Sequence, residues 1–218
     1  DAASFFFEDG TMWSSLTEVR LLDSRGKSAG NIDVVLVAYN EEGKVYDFGA
    51  LEVQAVYISG NVRDPFEYYM KDPHGRSCMD WSEEPNYPRP DYLSSSRKRL
   101  APQLLFKGGI LHNWGKKVAV AMNRSFFATL PRLRRVPKGE ADVAWLIYEL
   151  DLTGDAKQGS ARYSLSKVDE VFTEFEPALI SITTPSPGRV EDFLKHLQSR
   201  LDEQVEVPPT NATIERPF

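Results

Sequence analysis

Two apolar, β-branched runs lie close together in this chain, and each holds polar residues that such a run should exclude. Residues 32–39 read IDVVLVAY and residues 50–59 read ALEVQAVYIS. Both compositions predict buried strands. The intervening Asn40, Glu41, Glu42, Gly43 and Lys44 form a turn by composition, and residues 45–49 can pair back. The stretch predicts an antiparallel hairpin. Side chains alternate along a strand, so Glu52 and Gln54 share one face while Leu51, Val53 and Ala55 share the other. Asp33 is placed similarly, near the start of the neighbouring strand. Polar groups within apolar strands are costly unless something satisfies them.

The rest of the chain alternates strands and helices. Residues 14–22 read as a helix or a strand. Residues 117–122, 143–150 and 179–183 read as strands, and 164–175 fits either. Residues 60–90 are mostly loop, with a short helix at 66–70. A helix is expected over 91–111, interrupted at Pro102, and a short one over 123–130. Residues 188–204 are an amphipathic helix, with Val190, Phe193, Leu194, Leu197 and Leu201 on one side. This order predicts an α/β fold with a mixed sheet. The expected organisation is a single domain over residues 1–204 and an extended tail over 205–218.

Composition narrows the function classes. With 41% hydrophobic and 27% charged residues the chain can build a core. Its net charge of −6 argues mildly against nucleic-acid binding, although an acidic protein can carry a basic cleft. Cys78 is the one cysteine, which rules out an internal disulfide or a cysteine-built zinc site and fits a reducing cytoplasm. No apolar run is long enough to span a membrane, and no signal peptide is visible. His74, His112 and His196 are scattered, and there is no phosphate-binding glycine loop. The chain begins at Asp1 rather than Met, so a preceding piece is expected.

Asp33 and Glu52 on consecutive strands can share a hard cation, which prefers oxygen ligands. A bound Mg²⁺ would activate a water and neutralise a phosphate. Gln54 could orient a water or a phosphate oxygen, but its amide does not titrate. Glu18 is the best candidate for a further carboxylate. The spacing alone is a weak signal, and solvated residues on an exposed sheet face would look the same. Placement within apolar strands is what raises it.

Three blocks carry a more specific resemblance: residues 14–21 (SSLTEVRL), 26–37 (GKSAGNIDVVLV) and 48–60 (FGALEVQAVYISG). Over roughly the first seventy residues the chain resembles the NotI-like restriction endonuclease family of the PD-(D/E)XK nuclease superfamily. The resemblance implies a restriction-endonuclease-like core, a central mixed sheet flanked by helices. It implies a Type II endonuclease that cuts a specific double-stranded DNA palindrome with Mg²⁺ as a homodimer. Asp33, Glu52 and Gln54 take the catalytic positions, with Asp33 and Glu52 as metal ligands. Gln54 stands where the superfamily usually has Lys, and Glu18 corresponds to an assisting helix carboxylate. The family also carries a cysteine-rich, iron-binding module before the nuclease core. It is missing from this chain, so no iron is expected.

Arg97, Lys98 and Arg99, and the basic loop of Arg132, Arg134 and Arg135, are the candidates for DNA contact, against a solvated charged face. Lys107, Lys116 and Lys117 are further cations in the same stretch. Two other readings stay open: a catalytically inactive DNA- or partner-binding module on the same fold, and a nuclease for RNA or branched DNA.

Overall fold

The computed structural model describes residues 1–83, 87–153 and 162–206. The chain divides into two compact units, Asp1–Thr183 and Thr184–Phe218. The first unit is built on a six-stranded mixed sheet of β1 (Trp13–Leu22), β2 (Ser28–Tyr39), β3 (Val45–Val53), β6 (Val118–Asn123), β7 (Val143–Thr153) and β8 (Arg162–Thr173), in that spatial order. β1, β2 and β3 form an antiparallel meander. β3, β6 and β7 run parallel, and β8 returns antiparallel to β7. A two-stranded sheet pairs β4 (Tyr57–Ser59) with β5 (Arg89–Asp91).

The β2–β3 hairpin turns where composition placed it. Asn40 Oδ1 accepts from the backbone N–H groups of Glu42 and Lys44, and Gly43 takes φ +77°, open to glycine without strain. The second apolar run does not stay one strand. β3 begins at Val45 and ends at Val53, and residues 57–59 leave to pair with β5.

The connection from β3 to β6 carries helix α2 (Arg63–Met70), following α1 (Ala2–Phe6), and then a long helix, α3, over residues 92–113. Pro102 does not interrupt α3. After an α-helical first turn, Tyr92–Ser95, the stretch Ser96–Leu100 is π-helical, and the Ala101 N–H reaches back five residues to the Ser96 carbonyl. This wider turn next to Pro102 accommodates a residue without an N–H. A second π-helical stretch covers Leu104–Gly108. A short helix, α4 (Arg124–Phe127), follows β6 with Asn123 capping it through the Phe126 N–H at 2.8 Å.

The run at 179–183 belongs to a helix, α5 (Phe175–Thr183), and not to a strand. Phe175, Ala178, Leu179 and Ile182 recur at i, i+3, i+4 and i+7 and pack on the core. Asp142 Oδ2 accepts from the Phe175 N–H at 3.0 Å and starts that helix. The ambiguous stretch before it is the strand β8. In the second unit, α6 (Val190–Glu206) is the amphipathic helix. It takes in the first two positions of the expected tail, and residues 207–218 lie outside the described residues.

The two faces of the sheet are covered unequally. Leu100, Leu104 and Leu111 of α3 pack with Val120 of β6, Trp145 of β7 and Phe175 of α5 in the main core. Trp145 is fully buried and donates from Nε1 to Thr173 Oγ1 at 3.0 Å. On the other face, Ala2 and Phe5 of α1 cover Leu36, Ala119, Ala144 and Leu146. A cavity of about 940 Å³ opens beside them, lined by Leu36, Leu51, Val53 and Gln54 among others. Among the described residues, no helix is long and apolar enough to cross a membrane.

Candidate active site

The site forms where β2 and β3 part. Their ladder ends at Val34↔Leu51. β2 runs on beside β1, and β3 continues against β6 as far as Val53↔Ala121. One step past the last pair, Asp33 and Glu52 stand across from each other. The Asp33 carboxylate substitutes for the next ladder bond: its Oδ2 accepts from the Val53 N–H at 2.7 Å. Gln54, one residue beyond β3, donates its N–H to the Ala121 carbonyl at 2.8 Å.

Glu52 and Gln54 are both buried, at 4% and 5% exposure. Each uses one polar atom and leaves one oxygen without a partner. Glu52 Oε2 accepts from Lys107 Nζ at 2.5 Å, and Gln54 Nε2 donates to Gln103 Oε1. Among the described residues, Glu52 Oε1 and Gln54 Oε1 have no hydrogen-bond partner, which is unusual for buried polar atoms. Lys107 Nζ also donates to the Asn31 carbonyl at 2.7 Å. Burial pushes the Glu52 carboxyl up to about 7. Lys107 pulls against that shift, Asp33 adds to it and Arg99 opposes it.

Glu18 lies on β1 rather than on a helix. The register passes from Thr17↔Val34 to Val19↔Ile32, which leaves Glu18 and Asp33 facing each other across a gap in the ladder. Glu18 has φ +53°, the one positive φ at a non-glycine position among the described residues, a conformation that costs on the order of 1 kcal/mol or more. Its exposed carboxylate accepts from Asn31 Nδ2 at 3.3 Å. Asn31 thereby links Glu18 to Lys107.

Of the first basic cluster, Arg97 and Lys98 are exposed and Arg99 is half-buried. Arg99 is the member whose charge is felt at Glu52. Arg132, Arg134 and Arg135 are exposed on a loop that lines a separate cavity of about 770 Å³. Arg134 lies 3.7 Å from Glu174, and among the described residues no hydrogen bond or ion pair joins this loop to Asp33 or Glu52.

Sequence reasoning does not bring Lys107 and Gln103 into the site, and it marks Lys107 only as one cation among several. A signal exists: Arg99, Gln103 and Lys107 are spaced i, i+4, i+8 in a helix otherwise marked by Leu100, Leu104 and Leu111.

The carboxylates of Asp33 and Glu52, together with Gln54 Oε1, form an oxygen-rich donor set. Among the described residues, no group of three or more His, Cys, Asp and Glu is placed to hold a metal ion by itself. Mg²⁺ is commonly held by one or two carboxylates, with waters and phosphate oxygens completing its shell. The residues present fit that ion.

The chain belongs to the family of restriction endonuclease NotI, whose family model matches residues 1–165. By that membership it is a restriction endonuclease, a hydrolase that acts on DNA. No individual curated protein matches it.

Proposed function

We propose that this endonuclease cuts double-stranded DNA at a specific site with Mg²⁺ held by Asp33 and Glu52. The core on which these residues sit is read as a PD-(D/E)XK-type nuclease core, acting as a cytoplasmic homodimer. One observation carries the reading: among the described residues, the Oε1 atoms of Glu52 and Gln54 lie buried and unpartnered at the end of β3, where it parts from the stretch of β2 that bears Asp33.

When bound there, Mg²⁺ supplies the Lewis acidity that activates water and neutralises phosphate charge. Asp33 is anchored by the Val53 N–H and Glu52 by Lys107, so the two ligands are held in place before substrate arrives. Gln54, held by Gln103, offers an acceptor that orients but takes no proton. A bond forms between the water oxygen and phosphorus, and the bond from phosphorus to one bridging oxygen breaks. The water proton leaves to solvent, and solvent protonates the departing alkoxide. Arg132, Arg134 and Arg135 supply sequence-independent attraction to the DNA backbone.

Incubation with plasmid and genomic DNA, with and without Mg²⁺, tests the proposal, followed by sequencing of the fragment ends. Discrete ends that share one sequence, formed only with Mg²⁺, are expected. Smearing would point to non-specific cleavage. Intact DNA under all conditions would overturn the assignment.

A further inference from the structure

The ion pair between Lys107 and Glu52 is hard to explain as a stabilising device. Both side chains are almost fully buried, at 7% and 5% exposure. Desolvating two charges cancels most of their attraction, and an apolar pair in the same place is often as stable or more so. The surroundings would suit one: Leu100, Leu104, Leu111 and Val120 line the same small space. The arrangement also leaves Glu52 Oε1 and Gln54 Oε1 unpartnered, which adds cost. The reason for a lysine here lies in what it does to the two oxygens of Glu52.

Two features of the pair indicate what that is. The ammonium binds Glu52 Oε2 on β3 and the Asn31 carbonyl on β2, so it bridges the strands where their ladder has ended. The same helix treats Gln54 in the same way, since Gln103 takes its Nε2 and leaves Oε1. Lys107 and Gln103 of α3 thus occupy one polar atom each, of Glu52 on β3 and of Gln54 just beyond it, and leave each residue one oxygen without a partner among the described residues. Lys107 itself lies in the π-helical stretch Leu104–Gly108, a distortion frequent at functional sites.

We propose that Lys107 is a positioning residue for the metal site, fixing Glu52 as a ligand that offers a single oxygen, Oε1. The inference rests on the reading of Asp33 and Glu52 as the metal ligands. The cation is held at a cost in affinity, because the ammonium repels it and withholds Oε2. What is gained is a fixed placement of the ion relative to the scissile phosphate.

The test compares Lys107→Met and Lys107→Arg with the wild-type full chain. It measures kcat and KM for cleavage of duplex DNA, and the affinity for Mn²⁺ by calorimetry. For Lys107→Met, kcat is expected to fall about tenfold to a hundredfold, the usual effect of removing a partner that orients a metal ligand. KM for DNA stays near wild type, and Mn²⁺ binding is retained or tightened because Oε2 is released. Lys107→Arg, which keeps a cationic donor for Glu52, recovers part of kcat. Should Lys107→Met not fold, Lys107→Gln replaces it, keeping a donor without the charge.

A kcat close to wild type in Lys107→Met would overturn the proposal, as would weakened Mn²⁺ binding with no recovery in Lys107→Arg. A raised KM at unchanged kcat would overturn it too, by making Lys107 a DNA contact. The metal-site reading fails separately: in that case Asp33→Asn and Glu52→Gln keep cutting whatever Lys107 does.

Discussion

Two ion pairs of similar length mark opposite extremes in this molecule. Glu52 and Lys107 meet at 2.5 Å with 5% and 7% of their side chains exposed, and Arg63 and Glu67 meet at 2.7 Å with 82% and 55% exposed. The second pair is an i, i+4 contact on α2 and costs nothing to solvate. The first joins residues 55 positions apart, lies inside the core, and leaves an oxygen unsatisfied beside it. Distance therefore says little about the role of a pair, whereas burial says a good deal. A charge kept in an apolar interior needs a reason, and here the reason is the site it shapes.

Removing one partner from each pair should have very unequal consequences for the fold. Glu52→Ala leaves the Lys107 ammonium buried with only the Asn31 carbonyl, and should destabilise the fold by about 3–5 kcal/mol. The denaturant midpoint reads this directly, and a change below about 1 kcal/mol, the range of exposed pairs, would mean the pair is solvated after all.

A smaller effect follows from the raised ionisation of Glu52, about 7 when folded against 4.5 for the free side chain. Below pH 4.5 the carboxyl is protonated in both states and contributes nothing. As pH rises towards 7 the unfolded chain gives up the proton first, so folding stability falls. Above that range stability no longer changes with the ionisation of Glu52 in metal-free protein. Glu52→Gln should remove this slope from a plot of unfolding free energy against pH. A variant that keeps the slope would assign it to another group.

Much of the site is legible in the sequence because strand alternation is a short-range rule. It places Glu52 and Gln54 together and sets Asp33 on the next strand. The family blocks cover the same residues. Lys107 escapes because its meeting with Glu52 depends on the long β3–β6 connection and on two π-helical stretches that shift its register, and no local pattern encodes either. The exchange of strand for helix at residues 179–183 has a different origin. Ile180 and Ile182 alternate with Ser181 over too short a window, while the helical period needs Phe175 and Ala178 to become visible. Glu18 is found by residue type but misplaced in its element, since a left-handed residue within a strand leaves no trace in composition.

Smaller again is the expected effect at the basic loop. Replacing Arg132, Arg134 and Arg135 by Ala should weaken DNA binding evenly across sequences. The slope of log affinity against log salt should drop by about one unit for each phosphate that is no longer neutralised. Turnover at saturating DNA should stay unchanged. A fall in turnover with no change in slope would place these arginines at the chemistry instead.

At the far end of the scale, Arg63→Ala should change stability by no more than about 0.5 kcal/mol, as usual for an exposed i, i+4 pair. A destabilisation approaching that of Glu52→Ala would erase the distinction between the two pairs.

DNA cleavage in this protein is proposed to depend on a metal held by Asp33 and Glu52. The most direct test is the rate of plasmid cleavage over a range of Mg²⁺ concentrations, for wild type, Asp33→Asn and Glu52→Gln, with folding checked by circular dichroism. Wild type should cut only with Mg²⁺. Each folded variant should be slower by on the order of a thousandfold at every concentration, since several kcal/mol of charge stabilisation depend on the ligands. Cleavage by either folded variant at close to the wild-type rate would show that its carboxylate does not hold the catalytic metal.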